Sequence, residues 1–199
     1  MEKKVLSIVA ILVMFVMLVS LTACGSNKKK EEEVASSPKD AVEQFLDYVE
    51  AGRFSKASKL VDWTLTYKTY EEGYSYYDSV DYEEIEDMSS KEIKEYEDDN
   101  ESDIEYAETS FESYKSTIDD LASFKIDADL EKAEKVDGTK NIYLVEADIE
   151  MTYKEDKKDD EETEDDTIEF YVMKDGEEYK IIDGVYDVKY MISDISYGY

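Results

Sequence analysis

The sequence has no histidine and a single cysteine among its 199 residues. Histidine is the usual general base near neutral pH and the commonest ligand of transition metals. Its absence excludes serine–histidine triads, cysteine–histidine pairs and histidine-ligated zinc sites. One cysteine forms no internal disulfide, so a folded domain must be stabilised by its own core. We therefore predict no catalytic residue, no metal ligand and no cofactor.

Positive charge is also scarce, because 23 lysines and arginines face 53 aspartates and glutamates, for a net charge of −30. Such a surface repels nucleic acid and anionic lipid headgroups, so a nucleic-acid partner is excluded. High charge alone favours disorder. Here 18 tyrosines and 42% apolar residues supply a core, and we expect the chain to fold.

The first 23 residues have the layout of a secretory signal. Lys3 and Lys4 precede the apolar stretch 5–23, which ends in small residues. A stretch of this length also suits a transmembrane helix, so an uncleaved anchor is the alternative.

The four residues that close this stretch, Leu21 to Cys24, resemble the lipobox of bacterial lipoproteins. The resemblance implies that residues 1–23 are a signal peptide cut between Ala23 and Cys24, and that the Cys24 thiol carries a palmitate-type diacylglyceryl lipid. Two or more acyl chains hold a protein stably on a membrane, whereas one is marginal. We expect a protein anchored by this lipid at the extracytoplasmic face of the cell membrane.

Residues 24–37 are polar and without periodicity, which indicates a flexible tether, and residues 38–199 are long enough for one domain. The domain begins with a helix signal. Ser37 suits the N-cap, Pro38 the first helical position and Gly52 a left-handed C-terminus. A second short helix is predicted to follow at once, carrying Phe54 and Ala57 on its apolar side.

A group of aromatic residues then recurs at steps of four, three, four and three: Trp63, Tyr67, Tyr70, Tyr74 and Tyr77. In a helix these rings form one stripe. The stripe either lines a pocket, where rings bind sugars by stacking or hold cations, or packs into the core. The spacing leaves both interpretations open.

The rest of the chain predicts a mixed fold. Residues 78–102 indicate an acidic insertion, either a solvated helix or a mobile segment, and an amphipathic helix is expected from Asp103 onward. Alternating patterns then predict strands near 124–130, 143–153, 168–172 and 179–181, with an acidic loop at 155–166. Helices followed by a meander indicate the α+β class, with N-terminal helices packed on a curved antiparallel sheet.

Two stretches, "PKDAVEQFLDYVEAGRFSKASKLV" and "MKDGEEYKII", resemble the nuclear transport factor 2-like (cystatin-like) superfamily, in the form found in Gram-positive lipoproteins. Tyr179 stands where that family usually has tryptophan. The resemblance implies a bent sheet wrapped around a helix, which leaves a concave, cone-like pocket.

Three functions remain open. The first is a non-catalytic domain that binds a small ligand or a neighbouring envelope protein through the concave face. The second is an enzyme of the ketosteroid-isomerase type, which needs a buried aspartate or glutamate beside a tyrosine hydroxyl in the cone. The third is a surface protein that binds calcium or another cation through loop 155–166 and the tyrosines.

Overall fold

The structure, a computed structural model, describes residues 34–76, 80–156 and 160–197. The predicted signal peptide, Ala23 and Cys24 lie outside these ranges, as does Tyr77. Within the described ranges, no helix combines the length and the apolar character needed to cross a membrane.

The helices of the described chain lie almost entirely before the sheet. They are α1 (Pro38–Glu50), α2 (Phe54–Ala57), α3 (Trp63–Tyr76), α4 (Tyr82–Asp87), α5 (Ser90–Ser113), α6 (Lys115–Asp119) and α7 (Val185–Tyr197), with a 3-10 turn at Ser58–Leu60. The strands are β1 (Leu121–Leu130), β2 (Glu134–Lys135), β3 (Ile142–Glu155), β4 (Glu162–Asp175) and β5 (Glu178–Asp183). The α+β class is confirmed.

The sheet is an antiparallel meander in the order β1-β3-β4-β5, with β2 paired to β3. It curls strongly into a half-barrel, which confirms the predicted curved, cone-like sheet with packed helices. Alternate residues face the core, as the period of two requires. These are Val145, Ala147, Ile149 and Met151 on β3, and Ile168, Phe170 and Val172 on β4.

Helix α1 begins and ends as its sequence predicts. The Ser37 hydroxyl accepts a hydrogen bond from the Asp40 N–H at 3.1 Å, with Pro38 in the first turn. Gly52 has φ +64°, the left-handed conformation that a glycine adopts without strain. Ala35 is also buried, at 2% exposure, so core packing begins upstream of Pro38.

Aromatic rings fill the space between the helices and the inner face of the sheet. Phe111 of α5 lies 5.7 Å from Phe45 and 5.2 Å from Phe54, measured between ring centroids. Phe45 in turn contacts Phe170 of β4 at 6.1 Å. Phe45, Phe111 and Phe170 are each fully buried. Packed aromatic side chains therefore fill this part of the cone.

Helix α5 starts at Ser90, and its backbone angles are non-helical at Asn100, so the amphipathic helix expected from Asp103 forms its second part. Ser89 and Glu92 form a capping box, in which each side chain bonds the other's backbone N–H. The predicted insertion 78–102 thus contains α4 and half of α5, and Ile85 of α4 is buried at 1% exposure. The sequence pattern did not decide for a helix here, because the first turns contain few apolar residues. Capping and helix propensity, rather than an apolar face, define these turns.

The acidic loop predicted at 155–166 is shorter than expected, because β4 begins at Glu162. Glu162 pairs with Tyr153 and Glu164 with Met151, and the Tyr153 hydroxyl donates to Glu162 Oε2 at 3.0 Å. Pairing with the long strand β3 outweighs the low strand propensity of acidic residues.

The C-terminal segment forms helix α7, which follows the sharp turn at Gly184. Gly184 has φ +88°, and a Cβ there would lie 2.7 Å from the Glu169 carbonyl oxygen. The buried residues of α7 recur at helical spacing: Val185, Val188, Met191, Ile192 and Ile195. They join the main core rather than extending the sheet.

Helix α3 covers the outer edge of β5. The Asp62 N–H donates to the Ile181 carbonyl at 2.9 Å, and the Thr69 hydroxyl donates to the Ile182 carbonyl at 2.9 Å. Thr66 reaches the Ile181 carbonyl at 3.4 Å. Thr66 and Thr69 are among the few buried polar residues of the described chain. Their hydroxyls satisfy strand carbonyls that another chain would otherwise meet.

Replacing Thr69 by valine should lower the free energy of unfolding by about 1–3 kcal/mol, because the Ile182 carbonyl would stay buried without its donor. Urea unfolding measures this change. The matched control is Thr109→Val on an exposed turn of α5, where the hydroxyl bonds only its own helix. Equal losses in the two variants would contradict the assigned role of Thr69.

Candidate functional site

The aromatic stripe lies on α3, and its described members contact other parts of the protein. Trp63 is 9% exposed, its Nε1 donates to Ser58 Oγ at 2.9 Å, and its ring lies 5.5 Å from Phe111. Tyr67 packs against the main core. Tyr70 stacks on Tyr186 of α7, with ring centroids 4.1 Å apart. Tyr74 belongs to α3, but its side chain, like Tyr77, lies outside what the structure describes.

The neighbouring tyrosines already contact cations of the same chain. Lys68 Nζ lies 5.6 Å from the centroid of the Tyr96 ring, and Lys189 Nζ lies 5.2 Å from that of Tyr186. The Tyr96 hydroxyl donates to Glu71 at 2.5 Å. Burial, together with this carboxylate, raises the pKa of Tyr96 far above its usual value. These neutral rings therefore have lysines at their faces, where an external cation would bind.

A partly buried carboxylate lies beside a tyrosine hydroxyl on the other side of the sheet. The Tyr82 hydroxyl donates to Asp183 Oδ2 at 2.7 Å, and the Gly184 N–H donates to Oδ1 at 2.8 Å. Burial raises the pKa of Asp183 above the usual aspartate value. The ring of Tyr82 stacks on Tyr171, with centroids 3.9 Å apart. Sequence analysis missed this pair because about a hundred residues separate its members.

The Asp183–Tyr82 pair has the composition of an acid–base site but not the surroundings. Tyr82 and Tyr171 pack on a second apolar cluster around Ile85 and Ile142, away from the aromatic core. Neither of the two cavities described below is lined by Asp183 or Tyr82. Neither of these cavities therefore offers space for a substrate beside this carboxylate.

A shallow cavity of about 330 Å³ lies over strands β3 and β4. Asp148 and Glu150 of β3 line it together with Asp165 and Asp166 of β4, which fall within the predicted acidic loop. The Thr167 hydroxyl donates to Asp148 at 2.7 Å. Across the described residues, no group of three or more acidic side chains has an arrangement that holds a metal ion.

The second cavity is a groove of about 230 Å³ between helix α1 and strand β1, which we call the α1–β1 groove. Its floor is apolar, since Leu46 and Ile126 are buried at 3% and 8% exposure. Its sides are acidic. The residues that line it are Glu43, Leu46, Asp47, Glu50, Ile126, Asp127, Ala128 and Leu130.

Hydrogen bonds fix the two walls of the α1–β1 groove relative to each other. The Ile126 N–H donates to Glu50 Oε2 at 3.3 Å, and Lys39 donates its ammonium to the Leu130 carbonyl. Lys125 pairs with Asp127, which raises the pKa of that lysine. Glu43 and Asp47 extend the acidic side one turn apart along α1.

The sequence pattern of α1 indicates the acidic side of this groove. Glu43, Asp47 and Glu50 recur at steps of four and three, which places them on one face of α1 next to the apolar face. That β1 rather than another strand lies beside this face depends on strand order, which the sequence does not state. The groove can hold an elongated ligand with apolar and positively charged parts.

Comparison of the chain with models of known families, with characterised proteins and with solved structures gives no significant match.

The Asp183–Tyr82 pair predicts a specific pH dependence of stability. Because folding raises the pKa of Asp183, the folded chain binds this proton more tightly than the unfolded chain. The free energy of unfolding contributed by this group is thus largest at low pH and falls as the pH rises through the folded-state pKa. Asp183→Asn, which mimics the protonated form, should be at least as stable as the parent at neutral pH.

Urea unfolding across a pH series checks this expectation. The advantage of Asp183→Asn should shrink on acidification. The control is Asp137→Asn, a substitution of the same kind in an exposed turn. A variant that is clearly less stable than the parent at neutral pH would mean that the ionised carboxylate stabilises the fold.

Proposed function

We propose that this chain is a lipid-anchored protein of the extracytoplasmic membrane face, whose α+β domain binds a small ligand or a neighbouring envelope protein without catalysing a reaction. The location rests on the sequence: the basic start, the apolar stretch and the lipobox-like residues up to Cys24. The α+β architecture, with its curved antiparallel half-barrel, is compatible with the nuclear transport factor 2-like superfamily.

The observation that carries the binding role is the α1–β1 groove. It combines a buried apolar floor at Leu46 and Ile126 with carboxylates along its sides. Binding sites commonly pair an apolar surface with a few placed polar groups. The aromatic core around Phe111 fills the inner part of the cone, so we place the ligand in this groove rather than in the cone.

The enzyme alternative has one observation in its favour, the partly buried Asp183 beside the Tyr82 hydroxyl. Its weakness is position, because Tyr82 packs against the second apolar cluster and neither residue lines a described cavity. We assign the pair a structural role, in which Asp183 accepts from Gly184 and Tyr82 and so fixes the turn before α7.

The proposed anchor predicts the mass of the mature protein. The chain purified from membranes should begin at Cys24 and carry fatty acid there. Cys24→Ala should incorporate no labelled palmitate. Far-UV circular dichroism should show the same folded domain in this variant, since the substitution changes no residue of the described core.

Ser26→Ala, two residues beyond the cysteine, serves as the control and should be processed like the parent. Two results would contradict the proposed anchoring: a mature chain that starts upstream of Cys24, or palmitate labelling of Cys24→Ala equal to that of the parent.

A further inference from the structure

Strand β1 forms one edge of the sheet, and its register shows which backbone groups face outward. β1 pairs with β3 only, and the Glu131 N–H donates to the Glu146 carbonyl at 2.8 Å, in line with the pairs Asp129–Asp148 and Asp127–Glu150. In an antiparallel ladder the hydrogen-bonded residues alternate with residues whose N–H and C=O point to the other side. The even-numbered residues of β1 therefore direct these groups away from β3.

Those outward groups face the α1–β1 groove, and side chains of α1 bond only the two ends of the segment. Glu50 accepts from the Ile126 N–H, and Lys39 donates to the Leu130 carbonyl. Ala128, midway between them, is exposed and lines the groove. Among the hydrogen bonds of the described residues, none is donated by the Ala128 N–H. An exposed strand edge of this kind is a template for another strand.

The opposite edge of the sheet shows how this protein closes an edge. There α3 lies along β5, and Thr69 and Asp62 bond the outward carbonyls. At β1 the neighbouring helix stands far enough from the strand to leave a groove of about 230 Å³. The floor of Leu46 and Ile126 suits aliphatic side chains, and in an extended peptide every second residue points the same way.

Charge selects the occupant of this groove. Glu43 and Asp47 stand on the α1 side and Asp127 on the β1 side, in a chain whose net charge is −30. A second copy of the chain would bring the same carboxylates against them, and like charges placed together across an interface are unfavourable. A lysine- or arginine-rich segment is attracted instead.

We propose that the α1–β1 groove binds an extended, basic segment of a partner protein as an added β-strand, paired with β1 through Ala128. Backbone hydrogen bonds supply affinity, the apolar floor receives alternate aliphatic side chains, and the carboxylates of α1 and β1 select basic residues. This inference rests on the proposed binding role and names its site and its class of partner.

Synthetic peptides test the pairing directly. The probe is a fluorescent peptide of alternating valine and lysine, titrated with the purified full-length chain in detergent and followed by anisotropy. Two further versions carry N-methyl groups on the amides of either the even or the odd residues. Because one set of amides pairs with β1 and the other faces away, one version should lose binding and the other should retain it.

A variant of β1 removes the pairing group from the protein side. Ala128→Pro deletes an N–H that β3 does not use, and an edge strand tolerates proline at such a position. It should weaken peptide binding by at least about tenfold, since a backbone hydrogen bond is lost and the ring obstructs the edge. Ala128→Val keeps the N–H and should weaken binding less than Ala128→Pro does. The urea midpoint reports whether each variant is folded.

A second pair of variants tests charge without touching the strand, in case the proline variant does not fold. Glu43→Gln combined with Asp47→Asn should weaken binding of the lysine peptide roughly fivefold at low salt, with a smaller effect as ionic strength rises. The matched control, Glu97→Gln with Glu101→Gln, neutralises two carboxylates at the same spacing on exposed α5. It should leave binding unchanged.

Three results would overturn the inference: no binding of the lysine peptide, equal binding of a glutamate version, or retention of binding by both N-methylated versions. The last of these would mean adhesion to an acidic surface without strand pairing. None of them alters the palmitate test at Cys24, so anchoring stands or falls separately. Strand pairing by a chain that carries no lipid would leave this inference intact and overturn the anchor.

Discussion

The domain depends on the ring contacts of Phe45 in helix α1, which packs on Phe111 of helix α5 and on Phe170 at the inner face of the curled sheet. With one cysteine and no disulfide, burial of these rings is the main source of stability available to it. The same core must offset the mutual repulsion of a chain with net charge −30. The charge is tolerated because the acidic residues lie almost wholly on exposed faces of helices and strands, while the aromatic residues meet inside.

The two edges of the sheet are treated differently. At the outer edge of β5, the Asp62 N–H and the hydroxyls of Thr66 and Thr69 donate to the strand carbonyls. Beside β1, Lys39 and Glu50 of α1 bond the two ends of the strand segment, and a groove of about 230 Å³ lies between helix and strand.

Local signals predicted much of this fold. Ser37, Pro38 and Gly52 defined α1, and the period of two located the strands, because caps and alternation act over a few residues. For the first part of α5 the sequence left a solvated helix and a mobile segment open, since its few apolar residues do not form a stripe, and the structure has the helix. The groove could not be predicted as a site because it depends on which strand lies at the edge. The same holds for Asp183 and Tyr82, which tertiary packing brings together.

Pairs of acidic residues lie opposite each other on the outer face of the sheet, and they affect association between copies of the chain. Asp127 lies opposite Glu150, Asp129 opposite Asp148 and Glu146 opposite Glu169. Like charges directly across a strand pair destabilise a sheet, so these pairs have a cost in folding free energy. At the open β1 edge, exposed backbone groups by themselves favour strand pairing between copies of the chain. The negative face beside the edge opposes that pairing and favours the basic segment proposed above.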